Sequence, residues 1–219
     1  GGGVYRLEHR PNLYKELPPE DPERETNNRW TRAPSFGRWN LARRYGEDYQ
    51  DKAIDHIITR MDRWGLNTIA NWSSSRVYDR NQKAFTLQLR NIGIEGELMG
   101  LADVYAPDFL ENIDEAVRAT VEPYRDNPWL LGYFTFNEPS FLDRELRLCD
   151  LILEGSDRPI KTALQKHLGM NDTPESRIQF IHKTFRIFIE TVDSELEKHD
   201  PNHLTLGIRF GQQAENEIL

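Results

Sequence analysis

The sequence predicts an α/β fold, a parallel sheet with helices outside it, and three observations carry that prediction. Helix-like and strand-like segments alternate from Tyr49 to Arg209, the pattern of β/α units rather than of hairpins. The run Trp129-Leu-Leu-Gly-Tyr-Phe-Thr-Phe136 is almost unbroken apolar sequence, as expected of a strand buried on both faces. No Gly-x-Gly-x-x-Gly or P-loop follows any strand, which disfavours the nucleotide-binding versions and leaves the (β/α)-barrel type.

Residues 1–49 show no sustained period. Pro11, Pro18, Pro19, Pro22 and Pro34 break them up, while Tyr5, Tyr14, Trp30, Phe36 and Trp39 are too many aromatics for a free tail. They read as an extended segment that wraps over the remainder, residues 50–219. From Tyr49 onward Ala53, Ile54, Ile57, Ile58, Met61 and Trp64 form one helical face, and Gly65 stands where a helix C′ glycine belongs. A strand follows at Leu66–Trp72 and a second at Ala84–Leu89. After a glycine-bearing loop comes a helix with the face Ile113, Ala116, Val117, Thr120, Val121 and Tyr124. The apolar strand at 129–136 is third. An insertion at about 141–176, with short helical pieces and a break at Asn171-Asp-Thr-Pro174, leads to a long helix marked by Ile178, Ile181, Phe185, Phe188, Ile189, Val192 and Leu196. Asp200-Pro201-Asn202 then turns the chain into a fourth strand, Leu204–Arg209.

Charge and composition narrow the function. Among 219 residues, 28 Lys and Arg against 36 Asp and Glu give a net charge of −8, so no nucleic-acid or anionic-membrane partner is expected. The 11% aromatic share, with five Trp, marks a folding chain. A single cysteine, Cys149, allows no intramolecular disulfide and no multi-cysteine zinc site, and its apolar neighbours make it a buried small hydrophobe. No HExxH occurs among the six histidines, so no metal and no cofactor are expected. A Gly-x-Ser-x-Gly elbow is also missing, which argues against a serine hydrolase. No apolar run approaches the roughly 18 residues of a membrane span, and Gly1-Gly-Gly-Val-Tyr5 is not a signal peptide.

Active sites of β/α barrels lie at the C-terminal strand ends. Here those ends carry Asn71-Trp72, Asn137-Glu138 and Arg209-Phe210: one carboxyl, two amides, a guanidinium and two aromatic rings. Such a set suits a sugar, with apolar ring faces and a rim of hydroxyls, and a carboxyl could protonate a glycosidic leaving group. Each residue also has a plainer reading. Glu138 could cap the next turn, Asn137 could be a turn residue, Arg209 could hold a structural ion pair, and Trp72 could be core rather than platform.

The segment Trp129-Leu-Leu-Gly-Tyr-Phe-Thr-Phe-Asn-Glu-Pro139 resembles the strand-four signature of clan A glycoside hydrolases, retaining (β/α)₈ enzymes, and within the clan the agarase-like and β-galactosidase-like proteins. Four more segments resemble the same proteins in order: Leu13–Pro19, Arg38–Gly46, Arg63–Ser73 and Met99–Phe109. The resemblance implies a retaining glycoside hydrolase acting on a β-linked, galactose-containing poly- or oligosaccharide. Glu138 would be its general acid/base, with a pKa raised by the apolar strand end, and Asn137 would hold the sugar 2-hydroxyl. Arg209, at the family's strand five, would contact substrate or nucleophile, while Asn71 and Trp72 would line the sugar pocket. It also points to a secreted or periplasmic protein. The family nucleophile is a glutamate ending strand seven, which neither Glu215 nor Glu217 matches, so only about strands one to five of the barrel are expected here. The chain then reads as a fragment of a longer enzyme, as a piece completed by a second chain or copy, or as a non-catalytic carbohydrate-binding relative that lacks the nucleophile.

Overall fold

A computed structural model describes residues 36–211, and the chain divides into two units at Leu66/Asn67. Residues 1–35, with most of the expected wrapping segment, lie outside the described residues.

In the first unit, helix α1 spans Phe36–Tyr45 and α2 spans Tyr49–Trp64. Helix α1 corrects the reading of 1–49 as wholly extended. All five prolines precede Phe36, so none interrupts the helix. Arg43 and Arg44 in its last turn also face the negative end of the helix dipole. Gly46 at φ +75° ends α1, its N–H donating to the Ala42 carbonyl at 2.8 Å. Gly65 ends α2 in the left-handed region, as its position predicted. The buried face of α2 is narrower than its sequence pattern: Ile54, Ile58 and Met61 are buried, whereas Ile57 and Trp64 are exposed.

The second unit holds a four-stranded, all-parallel sheet in the order β1 (Thr68–Ile69), β2 (Ala84–Gln88), β3 (Leu130–Asn137) and β4 (Leu204–Arg209). Parallel neighbours need crossovers, and the helices supply them. The short α3 (Ser75–Tyr78) joins β1 to β2, and α4 (Phe109–Val121) joins β2 to β3. The last crossover contains α5 (Glu145–Glu154), α6 (Pro159–Leu168) and α7 (Pro174–His199), which resolves the irregular 141–176 stretch into two helices and a cap. The Thr173 hydroxyl accepts from Ser176 N at 3.2 Å and starts α7. The start of α6 is capped from a distance, Ile160 N donating to the buried carboxylate of Asp103 at 3.1 Å.

The core lies between the sheet and α4–α7. Phe85 and Tyr133 from the strands, Ile113 and Val117 of α4, and Phe180, Phe188 and Val192 of α7 are all fully buried. Cys149 is buried as expected, and burial pushes its thiol up to about 12, leaving it unreactive at neutral pH. No helix among the described residues is long and apolar enough to cross a membrane.

The N-terminal side of the sheet is held by Asp200. This buried carboxylate accepts from Tyr133 Oη at 2.8 Å, from Asn202 N at 3.1 Å and from His203 N at 3.2 Å. His203 Nδ1 lies 2.7 Å from the same carboxylate, and its Nε2 reaches the Asn127 carbonyl at 3.1 Å. Burial pushes the Asp200 pKa up, but the bonds from His203, Tyr133 and the two amides outweigh it and hold the carboxyl below its usual range. A carboxyl depressed in the folded state stabilises above its unfolded pKa, near 3.9, and loses that contribution as pH falls through the folded value. We therefore expect Asp200→Asn to lower the unfolding free energy at pH 7 by about 1.5–3 kcal/mol and to flatten the acid limb of stability below about pH 4. Thermal melts across pH 2–7 check this; an unchanged acid limb would remove Asp200 from the account.

Candidate active site

At the C-terminal side of the sheet the chain leaves β1 through Asn71 and Trp72. Asn71 Oδ1 accepts from the Thr86 hydroxyl of β2 at 2.9 Å, which fixes its amide across the two strand ends. Trp72 has φ +64° and is 63% exposed, so it is a surface ring and not core. A tryptophan in the left-handed region is an outlier, and such strain concentrates at functional sites.

The end of β4 gathers the rest. The Arg209 guanidinium sits 4.4 Å from the Trp72 ring centroid and 5.9 Å from that of Phe134, both within cation–π range. Its Nη1 also donates to Asn137 Oδ1 at 3.2 Å. Its partners among the described residues are thus an amide and two rings, not the carboxylate of a structural ion pair. Asn137 pairs with Arg209 in the β3–β4 register, and the Glu138 N–H donates to the Arg209 carbonyl at 2.7 Å. Four of the five residues singled out in the sequence, Trp72, Asn137, Glu138 and Arg209, form one linked cluster. The fifth, Asn71, adjoins Trp72 and bonds toward β2.

Glu138 turns the chain out of the sheet with φ +48°, directly before the buried Pro139. The residue before a proline is disfavoured in the right-handed helical region, and left-handed backbone costs a non-glycine residue about 1–2 kcal/mol. The amide bond to Arg209 offsets part of that cost. The Glu138 side chain is exposed, so the apolar strand end does not bury it as the sequence suggested.

Beside the cluster lies a cavity of about 410 Å³ lined in part by Asn71, Trp72, Thr86, Gln88, Arg90 and Tyr124. Asn71 Nδ2 and Gln88 Oε1 are buried there without a hydrogen-bond partner. The sequence reading missed Thr86 and Gln88. Their signal was two polar residues at alternate positions of an apolar strand, which places both on one face.

Among the described residues one cluster has metal-ligand chemistry: Asp114 of α4 with Glu195 and His199 of α7, their ligand atoms within 4.8 Å of one another. Lys198 Nζ donates to both carboxylates, so an ammonium already bridges them, and His199 Nε2 lies 2.7 Å from Asp114 Oδ1. Bonds from Lys198 first, then His199, hold the Asp114 carboxyl well below the usual carboxylate range. The cluster ties α4 to α7 as an ion-pair network.

No family model matches the sequence. Among curated proteins, Beta-agarase B of Vibrio sp. (strain JT0107) is 25% identical over 228 residues, covering 80% of this chain and 24% of that protein. Among solved structures, the agarase AgWH50C is similar with TM-score 0.76 and 27% identity, covering 96% of this chain and 36% of its own. The chain is agarase-like in sequence and fold. An exo-beta-agarase (TM-score 0.66, 24% identity, 84% of this chain and 32% of that one) and PfGH50B (TM-score 0.67, 22% identity, 84% and 34%) share the fold. The agarase-like chain spans about a quarter of the curated relative's length and about a third of the solved ones'.

Proposed function

We propose that this agarase-like chain carries the acid/base side of a retaining glycoside hydrolase that cleaves a β-linked, galactose-containing polysaccharide such as agarose. The observation that carries the proposal is the bonded set at the ends of β1, β3 and β4, in which Arg209 joins Trp72 and Asn137 beside Glu138. The four strands then form strands two to five of a (β/α)₈ barrel, whose catalytic face is the side where this set lies.

In the first half of the reaction Glu138 gives its proton to the glycosidic oxygen as the bond from C1 to that oxygen breaks. A second carboxylate, about 5–5.5 Å away, bonds to C1. In the second half the Glu138 carboxylate takes a proton from water, whose oxygen displaces the enzyme carboxylate from C1. Asn137 enters pre-oriented. Its Oδ1 accepts from Arg209, which leaves Nδ2 to donate to a sugar hydroxyl, a contact that strengthens as the ring flattens toward the transition state. Trp72 offers an apolar face for the ring. Retention is checked by NMR of the first products from agarose: the account expects the β-anomer at the new reducing end, and an initial α-product would exclude double displacement.

One observation favours a second reading, carbohydrate binding without cleavage. The four described strand ends carry a single carboxylate, Glu138, whereas double displacement needs two. In the hydrolase reading the second would come from a later strand or from a partner chain. Both readings expect an agarose-derived oligosaccharide to bind saturably, and Trp72→Ala to weaken its binding by about tenfold, the loss of roughly 1.4 kcal/mol of stacking and burial. Calorimetric titration measures this, and equal affinity in the variant would remove Trp72 from the site.

A further inference from the structure

Gly211 stands two residues past β4, against the stem of Glu138. A Cβ placed on Gly211 would lie 3.2 Å from Glu138 Cγ, 3.4 Å from Cδ and 3.7 Å from Cβ. Its backbone is not among the left-handed ones, so what demands glycine here is space and not conformation. By contrast, a Cβ on Gly96 would meet nothing within 4 Å.

The direction of the displacement follows from what can yield. The Glu138 backbone is pinned by its N–H bond to the Arg209 carbonyl at 2.7 Å and by the buried Pro139 ring that follows it. Its side chain is exposed, so the stem is the part that yields. A methyl at 211 therefore turns the stem by a few tenths of an ångström, and the carboxyl at its tip moves furthest.

We infer that Gly211 is a positioning residue for Glu138, its missing side chain forming the slot that aims the carboxyl at the leaving oxygen. This rests on the acid/base reading above. Misplacing a catalytic group by about 1 Å can cost on the order of 10²-fold, so a shift of a few tenths is expected to cost about tenfold for Gly211→Ala, and more for Gly211→Val.

The test uses the polypeptide as its source makes it and two substrates: agarose, whose leaving alcohol needs a proton, and the 2,4-dinitrophenyl β-glycoside of the same sugar, whose leaving group departs without one. The quantity read is kcat/KM, which reports the steps up to bond cleavage. Gly211→Ala is expected to lower it about tenfold on agarose and by less than about twofold on the dinitrophenyl glycoside, with melting unchanged and with Gly96→Ala silent on both. A two-by-two cycle on agarose gives a second reading, in which the effect of Gly211→Ala vanishes when residue 138 is glutamine. Equal loss on both substrates, no loss on agarose, an undiminished effect in the Glu138→Gln background, or loss of the folded state would each overturn the inference. Failure of the underlying acid/base reading looks different: Glu138→Gln would then keep full activity on agarose.

Discussion

Glu138→Gln is expected to lower kcat/KM on agarose by about 10²–10⁴-fold with no change in melting temperature, the range set by losing a positioned general acid. The expectation combines three features of the residue. The amide keeps the shape of the carboxyl but has no proton to give at neutral pH. The one bond that ties residue 138 to β4 comes from its backbone N–H, which glutamine retains. The side chain is exposed, so the substitution leaves no buried partner unsatisfied. A large loss of turnover with an intact fold therefore isolates proton transfer. Release of reducing ends from agarose measures it, and wild-type rates in the variant would exclude Glu138 as the acid.

The largest effect on the fold is expected at Gly132. In the β3–β4 register Gly132 pairs with Leu204, and a Cβ there would stand 2.1 Å from the Leu204 carbonyl oxygen and 2.9 Å from its carbonyl carbon. These are backbone atoms of a neighbouring strand, so no side-chain rotation relieves the overlap, unlike the contact at Gly211. Gly132→Ala must push β4 away from β3 near its start. The cost should reach or exceed the roughly 1–3 kcal/mol typical of overpacking, a fall of about 2–12 °C in melting temperature for a domain of this size. The same displacement would carry Arg209 off Trp72 and Asn137, so activity should fall even where the variant stays folded. Calorimetric melting of wild type and variant checks the first part, and an unchanged transition would contradict the close approach.

What was legible in the sequence was what depends on local pattern. The strand Leu204–Arg209 matches its predicted bounds, and the apolar run at 129–136 differs from β3 by one residue at each end. The first strand was drawn too long, Leu66–Trp72 against Thr68–Ile69. Apolar composition marks a core segment, but pairing with β2 decides which residues form the ladder. Asn137, Glu138 and Arg209 could be found because they are polar residues closing apolar strands. That Trp72 is a surface ring under a guanidinium was not readable, since both core and platform favour the same residue type. Gly211 was invisible for a related reason. Its importance lies in an atom it does not have and in a neighbour 73 positions earlier in the chain. The Asp200 cluster was hidden too, because Tyr133, Asp200, His203 and Asn127 come together only once α7 has folded back to the start of β4.

The most direct test of the central claim is a crystal structure of the Glu138→Gln protein with an agarose-derived oligosaccharide. The account expects a glycosidic oxygen about 3 Å from the side chain of residue 138, hydrogen-bond distance for the proton it would deliver, with one sugar ring over Trp72 and a hydroxyl on Asn137 Nδ2. An oligosaccharide bound away from the ends of β1, β3 and β4, or one whose glycosidic oxygen lies beyond the reach of residue 138, would contradict it.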